Sequence, residues 1–418
     1  MADLCDGAGR SLDLQYVDYL TKPCGGPVAS AFCNAKLQGH NVTQTPCTWR
    51  LCDTRSSYPM VTLSGFIHPK FTLRFPMLIR CTVSALLALS LISCASSGPQ
   101  KQAFAGQTYS FGLWGDMPYK KAGDDPKLPA VLKSINQSDI AFSLYDGDIK
   151  DGSSKCTDNI YTEALAMFNS MVKPVVYVPG DNEWTDCHRS NNGGYDGLER
   201  LAHLRRVMFP STASLGQTTL PLEHQGELGE KFVENIRFSY GPVVFVGLNV
   251  PGSNNNVILN AKECSNKSAR TPAQCDASNA EFLERDAANV TWLEQSFAAA
   301  KAQNARGIVI VIQADPGFDL PETEDQDESL QPQFSGYRNF ITQVIKQTEG
   351  FSGQVLLVHG DTHFFKLDKP LYSPTKVLAN LTRLQTFGSP LLHWVKVNVD
   401  PASEALFTVQ PVMVRQAP

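Results

Sequence analysis

Four short stretches of this 418-residue chain combine a glycine with acidic side chains, and the last also carries a histidine. In chain order they are Gly115-Asp116-Met117-Pro118, Gly147-Asp148-Ile149-Lys150-Asp151, Gly180-Asp181-Asn182-Glu183 and Gly360-Asp361-Thr362-His363. Each follows a run of apolar residues that is typical of a buried strand. Acidic residues on loops at the carboxyl ends of strands are where α/β proteins build their sites. The pattern therefore predicts one shared site.

Such carboxylates could support divalent-cation chemistry. Bound cations polarise phosphoryl oxygens and lower the pKa of a bound water, so that hydroxide exists near neutral pH. Asp116, Asp148 and Asp181 each follow a glycine, which would let the backbone turn sharply beside an ion. His363 adds an imidazole of the kind that binds transition metals. The competing interpretation of any one loop is a simple turn or a helix N-cap.

The order, spacing and strand contexts of these stretches resemble those of the calcineurin-like metallophosphoesterases, over roughly residues 106–400. The pattern of that family is D-x-H, G-D-x-x-D, G-N-H-D/E, a lone H after a strand, and G-H-x-H. Asp116 matches its first aspartate, Asp148 the metal-bridging aspartate, and Asp151 the second acid of G-D-x-x-D. Pro118, Asn182, Gln313 and Asp361 stand where the family has histidines. Asp181 stands where it has an asparagine ligand.

The resemblance implies two divalent cations in a shell richer in oxygen than that of the family. The implied ligands are Asp148, Asp181, Asp361 and Gln313 for one ion, and Asp116, Asp148, His363 and waters for the other. Oxygen-rich shells favour Mn²⁺, Mg²⁺ or Ca²⁺ over Zn²⁺. We therefore predict a metal site that prefers hard cations to Zn²⁺.

The catalytic candidates include Asn182, which stands where the family has a histidine that assists the leaving group or the transition state. An asparagine amide is not a general acid, so a proton for the leaving group must come from elsewhere. His188 and His359 lie near the third and fourth stretches and are candidates for that role, or for orienting a metal ligand. Glu183 and Asp151 are expected to hydrogen-bond the ligands or the backbone.

The pattern of apolar residues predicts a layered α/β fold. Short apolar runs predict strands at Tyr109–Trp114, Ile140–Tyr145, Pro174–Val178, Val243–Asn249, Gly307–Ile312 and Gln354–Val358. Helical patterns lie between them at Ile160–Met171, Leu198–Val207, Glu281–Ala302 and Arg338–Gln347. A C-terminal β pair is predicted at Trp394–Val399 and Ala405–Val412, and long surface loops at 187–197 and 251–280. The resemblance implies a four-layer α-β-β-α sandwich with two facing mixed sheets, of the metallo-dependent phosphatase-like kind.

Composition and charge exclude some partners. Hydrophobic residues make up 42% of the chain and charged residues 18%, which is ordinary for a globular protein. A net charge of −5 gives no basic footprint, so we expect no nucleic-acid binding. The resemblance implies a phosphate-ester or nucleotide-like substrate instead. Tyr119, Trp184 and Tyr195 would either line its cleft or simply pack against their neighbours.

Residues 77–94 predict an export signal of the lipoprotein type. An apolar run follows the basic Arg80, and a short apolar core behind a positive flank is the pattern of such signals. The run ends at Cys94 in a sequence that resembles a bacterial lipoprotein box, whose cysteine is lipidated after cleavage. We expect an exported protein, in the bacterial periplasm or at the outer membrane, whose membrane contact is this lipid alone. The alternative is a buried helix or a signal anchor that is never cut.

This signal divides the chain into an N-terminal extension, residues 1–76, and a domain over 108–418 that is reached through a tether at 95–107. The extension is either an over-extended start, with Met77 as the true start, or a small disulfide module whose five cysteines leave one thiol unpaired. The cysteines beyond the signal are Cys156, Cys187, Cys264 and Cys275. An even number on an exported chain fits two disulfides, and a bridge from Cys156 to Cys187 would brace the site.

Three functions are compatible with these features. The first is a metal-dependent phosphoesterase, in which a metal-activated water attacks the ester without a covalent enzyme intermediate. The second is a non-catalytic envelope protein that keeps the fold and a cation site, which the missing family histidines favour. The third is hydrolysis of a bond other than a phosphate ester.

Overall fold

The computed structural model describes residues 106–318, 330–370 and 378–415, and the backbone of two short strand pairs outside these ranges. The chain divides into two compact units, Met1–Ala95 and Ser96–Pro418. In the first unit the description covers one antiparallel pair, Ala31–Phe32 with Pro46–Cys47. The predicted signal segment with Cys94, and the tether up to residue 105, lie outside the described residues.

Two β-sheets form the centre of the second unit. Their strands are β1 (Tyr109–Trp114), β2 (Ser143–Tyr145), β3 (Val175–Tyr177), β4 (Glu223–His224), β5 (Ile236–Tyr240), β6 (Val243–Gly247), β7 (Gly307–Val311), β8 (Gln354–His359), β9 (Lys366–Asp368), β10 (Leu381–Gln385), β11 (Trp394–Val399) and β12 (Phe407–Val412). A separate antiparallel pair joins Tyr372–Ser373 to Lys376–Val377.

Both sheets are mixed. The five-stranded sheet has the order β12-β11-β1-β2-β3, in which β1, β2 and β3 are parallel and the other two strands are antiparallel to their neighbours. The seven-stranded sheet has the order β9-β10-β8-β7-β6-β5-β4, with four parallel strands from β10 to β6. Its outer strands β9, β5 and β4 pair antiparallel.

The main helices are α1 (Leu128–Gln137), α2 (Asp158–Asn169), α3 (Gly197–Met208), α4 (Pro272–Ala302) and α5 (Arg338–Glu349). Helix α4 begins where Thr271 and Gln274 form a reciprocal capping box. The side chain of Asp196 caps α3 by accepting hydrogen bonds from two backbone N–H groups of its first turn. Two single helical turns, Gly252–Asn255 and Ala261–Cys264, precede α4.

The layers follow from the alternation of side chains along the strands. The Phe111 ring of β1 meets the Phe245 ring of β6 at a centroid distance of 5.1 Å, so the two sheets face each other. On the opposite face of the first sheet, Trp114 meets Phe168 of α2 at 5.9 Å. On the outer face of the second sheet, alternate residues of β6, β7 and β8 pack against α4 and α5. The order is therefore helices, sheet, sheet, helices.

The predicted α/β fold class, with two facing mixed sheets between helical layers, is confirmed. All eight predicted strands and all four predicted helices exist, most with ends shifted by one to three residues. The predicted loop over 251–280 is wrong in its last part, because α4 begins at Pro272. Among the described residues no helix has the length and apolarity needed to cross a bilayer.

Two disulfides link the four cysteines of the second unit, as predicted. Cys156 bonds to Cys187, and Cys264 bonds to Cys275. The first bridge ties the loop that follows β2 to the loop that follows β3. The second closes the segment that leads into α4.

Candidate functional site

The four predicted loops meet at one edge of the two sheets. Asp116, Asp148 and Asp181 follow the carboxyl ends of the parallel strands β1, β2 and β3. Asp361 follows β8 of the other sheet, and its backbone N–H donates to the Asp116 Oδ2 atom at 3.2 Å. The Asp116 N–H in turn donates to the carbonyl of Gly147 at 2.9 Å. We call Asp116, Asp148, Asp181 and Asp361 the carboxylate cluster.

The backbone of the cluster is bent at the acidic residues themselves. Asp116, Asp148, Asp361 and His363 have φ values of 49°, 65°, 74° and 68°, in the left-handed region that few non-glycine residues adopt. Residues held in this way concentrate at functional sites. The glycines mainly provide space: a Cβ on Gly360 would lie 2.1 Å from the Asp116 Oδ2 atom.

The Tyr119 hydroxyl lies at the centre of the loops. It donates to the Asp148 Oδ2 atom at 2.8 Å, and it lies 3.5 Å from the Asp116 Oδ1 atom and 3.4 Å from the His363 Nε2 atom. The Asn182 side-chain amide donates to this hydroxyl at 3.2 Å and also to Asp148. Burial and then the charges of Asp148 and Asp116 raise the pKa of Tyr119 well above its usual value. The phenol is therefore a hydrogen-bond donor at neutral pH.

His363 is oriented with one ring nitrogen toward the cluster. Its Nδ1 atom lies 2.6 Å from the carbonyl oxygen of Ser389, so this nitrogen carries the proton. In the neutral ring the Nε2 atom then presents a lone pair toward Asp116, 3.5 Å away. Metal-binding histidines commonly donate their second N–H to a carbonyl in this way. Burial opposes the charged ring, but hydrogen bonding and attraction to Asp116 raise the pKa of His363 overall.

Asp361 and Asp181 approach each other around Gly252. A Cβ on Gly252 would lie 2.7 Å from the Asp181 Oδ2 atom and 3.0 Å from the Asp361 Oδ1 atom. The Gln313 amide holds this arrangement, because its Nε2 atom donates to Asp361 at 3.3 Å and its Oε1 atom accepts the Gly252 N–H at 2.6 Å. The Gln313 oxygen that was predicted to bind a metal ion therefore already accepts a hydrogen bond from the backbone.

Burial and mutual repulsion both act on the carboxylates of the cluster. Asp116, Asp148 and Asp181 are buried, and the Asp361 carboxyl points inward to Gln313 and the Asp315 N–H. Burial, followed by repulsion from Asp181 and Asp116, raises the pKa of both the Asp148 and the Asp361 carboxyl well above its usual range. Within the part of the chain that the structure describes, neither carboxylate forms an ion pair with a lysine or an arginine.

The two supporting acids behave differently. Glu183 is fully buried, and its Oε1 atom accepts hydrogen bonds from the Gly180 N–H at 2.7 Å, the Asp148 N–H at 3.1 Å and the Tyr177 hydroxyl at 2.9 Å. It therefore ties the second loop to the third. Asp151 instead accepts hydrogen bonds from the serines of its own loop.

The two histidine candidates lie away from the cluster. His359 is fully buried at the end of β8, and its ring packs toward Phe318 at 6.4 Å on the helical side of the sheet. His188 lies in the turn after the third loop, where its backbone carbonyl accepts the Ser268 hydroxyl at 3.0 Å. Burial, and then the charge of Arg270, lowers the pKa of His188 to about 4. Asn182 is the catalytic candidate that contacts the cluster directly.

The ligand atoms of the cluster are of the type that hard cations prefer. Asp148, Asp181 and Asp361 offer carboxylate oxygen atoms, which suit Mg²⁺, Mn²⁺ or Ca²⁺. Their spacing does not match: among the described residues no three His, Cys, Asp or Glu side chains converge closely enough to hold an ion. The second predicted position, between Asp116, Asp148 and His363, holds the Tyr119 hydroxyl.

Sequence reasoning missed part of this site. Tyr119 was expected to line a cleft or to pack, and its place three residues after Asp116 was the available signal. Ser253 was not singled out, although its Oγ atom lies 2.7 Å from the Asp181 Oδ2 atom. It belongs to a run of four residues, Ser253 to Asn256, that all have positive φ. Asparagine tolerates that conformation, so the asparagine-rich stretch was a usable clue.

Comparisons with known proteins give distant structural similarity. Neither the protein-family models nor the curated proteins contain a match. Among solved structures, PhoD aligns with a TM-score of 0.46 and 11% identity, over 71% of this chain and 65% of that one. GAP50, the anchor in the inner membrane complex of Plasmodium, gives 0.34 and 10%, over 74% and 90%. The 5'-nucleotidase from Candida albicans gives 0.32 and 12%, over 75% and 53%. These similarities are too low to carry a conclusion about activity.

Proposed function

We propose that this chain is a metal-dependent hydrolase of the phosphoesterase type, with a divalent cation bound by Asp148, Asp181 and Asp361. The supporting observation is the burial of these carboxylates at one sheet edge without a lysine or arginine partner among the described residues. Buried charge is costly unless it is neutralised by a proton, a cationic side chain or a metal. Drawing the three carboxylates onto one cation would remove their mutual repulsion.

The identity of the ion follows from the donors. Three carboxylates provide hard oxygen ligands, so we propose Mn²⁺, Mg²⁺ or Ca²⁺ rather than Zn²⁺. A second ion between Asp116, Asp148 and His363 requires the Tyr119 side chain to move out, because its hydroxyl lies there. We therefore propose one ion, bound when Asp148, Asp181 and Asp361 draw together around it, and a second only after Tyr119 moves.

The surrounding side chains have separate roles in the proposal. A bound divalent cation would supply Lewis-acid polarisation of a phosphoryl oxygen and a more acidic water. The Tyr119 hydroxyl and the Asn182 amide are hydrogen-bond donors at the same edge, so they suit the oxygens of a phosphate ester. His363 offers an accepting nitrogen that the Ser389 carbonyl holds in place. Glu183 fixes the loop backbone that carries Asp148.

Export is part of the same proposal. Two disulfides in the described domain are typical of proteins that fold in an oxidising compartment. We propose that the chain is exported in a bacterial envelope, in the periplasm or at the outer membrane, and is anchored through a lipid on Cys94. Its proposed substrate is a small phosphate ester, nucleotide-like compounds included.

The test is hydrolysis of a generic phosphate monoester and diester by the full chain with added Mg²⁺, Mn²⁺, Ca²⁺ or Zn²⁺. Asp148→Asn is compared with Asp276→Asn, which changes an exposed aspartate on α4. We expect turnover that requires a hard cation, disappears in Asp148→Asn and is unchanged in Asp276→Asn. Equal turnover in both variants, or turnover that survives a chelator, would contradict the proposed function.

The second candidate function is a non-catalytic protein that binds a cation or an envelope ligand on this fold. The Tyr119 hydroxyl between Asp116, Asp148 and His363 favours it, because a phenol closes the position where a second ion would lie. Cation-dependent stabilisation without turnover of any ester would support this candidate over the hydrolase.

A further inference from the structure

A cavity of about 400 Å³ lies beside the carboxylate cluster, and cationic side chains outnumber acidic ones in its lining. Its charged lining residues are Arg189, Lys267 and Arg270 with the acidic Asp186 and Glu263, and we call this space the basic cavity. The facing wall is apolar, with Val257, Ile258 and Leu259. In a chain of net charge −5, three cationic side chains around one cavity are a local exception.

Two of the cationic side chains are available to a ligand. Arg189 pairs with Asp186 at 2.5 Å. Within the described part of the chain, Lys267 and Arg270 form no ion pair. Arg270 donates through its Nε atom to the Cys264 carbonyl at 3.1 Å and through its Nη2 atom to the Glu263 carbonyl at 3.2 Å. These bonds to neutral oxygens fix the position of the guanidinium, and the nearby Asp186 attracts its charge without forming an ion pair with it.

The walls of the basic cavity are held together before any ligand binds. The Ser190 N–H donates to the Lys267 carbonyl at 2.7 Å, and the Ser268 hydroxyl donates to the His188 carbonyl at 3.0 Å. The disulfide at Cys187 braces one of these segments, and the disulfide at Cys264 braces the other. A rigid cationic site loses little entropy on binding an anion, which increases its affinity.

Ser253 borders the basic cavity and contacts the cluster. The Ser253 Oγ atom lies 2.7 Å from the Asp181 Oδ2 atom, and the Arg189 Nη2 atom lies 3.3 Å from the same hydroxyl. Arg189 also borders the third loop: a Cβ on Gly152 would lie 2.9 Å from the Asn182 Oδ1 atom and 3.7 Å from the Arg189 Nη1 atom. A ligand at the cluster edge could therefore extend into the cavity.

We propose that the basic cavity binds a second anionic group of the substrate, beyond the ester that is cleaved. The substrate would then be a phosphate ester with two negatively charged groups and an apolar portion against the facing wall. Cations placed here would also offset the repulsion that the cluster exerts on any approaching anion. The role in a substrate rests on the proposed function, whereas anion binding by the cavity does not.

The test uses inorganic pyrophosphate as the probe, with isothermal titration calorimetry on the full chain after removal of divalent ions. Lys267→Gln and Arg270→Gln each remove one cavity charge and should weaken binding about tenfold, as expected for one charge near a partly exposed anion. The matched control is Lys262→Gln, an exposed lysine of the same segment that does not line the cavity, and it should stay within about twofold of wild type.

A variant that should bind pyrophosphate more tightly distinguishes an effect of cavity charge from a loss of folding. Glu263→Gln removes a negative charge from the cavity and keeps an acceptor for the Leu259 N–H, so it should tighten pyrophosphate binding by about threefold to tenfold. No measurable pyrophosphate binding by wild type, or equal affinity in all four variants, would overturn the inference. Asp148→Asn should retain the binding. Pyrophosphate binding by a wild-type chain that hydrolyses no phosphate ester with any of the four cations would therefore count against the hydrolase alone.

Discussion

Replacing Asp148 with asparagine should make the metal-free protein more stable. The Asp148 carboxyl is buried and is repelled by Asp181, Asp116, Glu183 and Asp361. Two unit charges about 6 Å apart repel by about 3 kcal/mol at an effective dielectric constant of about 20. Partial protonation of the neighbouring carboxyls reduces the relief, and one rearranged hydrogen bond costs about 1 kcal/mol. The net expected gain is about 1–3 kcal/mol in the free energy of unfolding.

The local contacts allow this substitution. Asparagine tolerates the φ of 65° at position 148. The Tyr119 hydroxyl now donates to Asp148, and it can instead accept from an asparagine amide and donate to Asp116, which lies 3.5 Å away. The side-chain oxygen of the new asparagine can keep the bond from the Asn182 N–H. The amide nitrogen of that asparagine cannot accept the bond that the Asn182 side-chain amide now donates to Asp148, so the variant removes charge at the loss of about one hydrogen bond.

The pH dependence has a definite sign. Because the pKa of Asp148 is raised in the folded protein, the folded state binds a proton that the unfolded chain has already released. The stabilising contribution of that proton is complete below the unfolded pKa and is lost as the pH rises through the folded pKa. In the metal-free state the advantage of Asp148→Asn over wild type should therefore grow with pH.

Urea unfolding of the two proteins, after chelation of divalent ions, measures this effect at pH 5 and at pH 8. We expect the variant to be more stable by about 1–3 kcal/mol at the higher pH and by a smaller margin at the lower pH. A variant that is less stable than wild type at both pH values would refute the claim that the carboxylates repel one another in the folded state.

Three further perturbations test other parts of the account. Glu183→Ala removes the acceptor of two backbone N–H groups and of the Tyr177 hydroxyl, so urea unfolding should show a loss of about 3 kcal/mol or more. Glu234→Gln leaves the buried Arg205 without the negative charge that it contacts at 2.6 and 2.8 Å, and should cost about 3 kcal/mol. The double change Arg205→Met with Glu234→Leu should recover part of that loss in the same assay, because it removes the buried charge but also the acceptor of the Asn249 amide. The pKa of His188 is lowered to about 4, so the unfolded chain takes up a proton first and stability is lost as the pH falls from about 6.5 toward 4. His188→Gln should therefore flatten the fall in Tm over this pH range. An unchanged slope of Tm against pH would contradict the lowered pKa of His188.

The fold could be predicted where apolar runs are continuous. Strands β1 and β11 match the predicted Tyr109–Trp114 and Trp394–Val399 to the residue, because polar or turn-forming residues bound both runs. Strands β5 and β10 were missed. They contain Arg237 and Arg383, whose charges interrupt the apolar pattern and are neutralised by Glu223 and Asp368 on neighbouring strands.

The site could be predicted as far as the strand ends, and no further. Glycine and aspartate after an apolar run locate the loops, since parallel strands deliver their carboxyl ends to one edge. The backbone N–H that binds the Gln313 side-chain oxygen belongs to Gly252, which lies 61 residues earlier in the chain. The Tyr119 hydroxyl reaches His363 across 244 residues. Such contacts depend on how the two sheets pack, which the local sequence does not encode.

The central claim is that Asp148, Asp181 and Asp361 together bind a divalent cation. Calorimetric titration of Mn²⁺ into the metal-free full chain tests it most directly, with Asp148→Asn and Asp181→Asn beside the Asp276→Asn control. The account predicts one bound ion per chain in wild type and in the control, and at least about a hundredfold loss of affinity in each cluster variant. Absence of binding in wild type, or equal affinity in all four proteins, would contradict it.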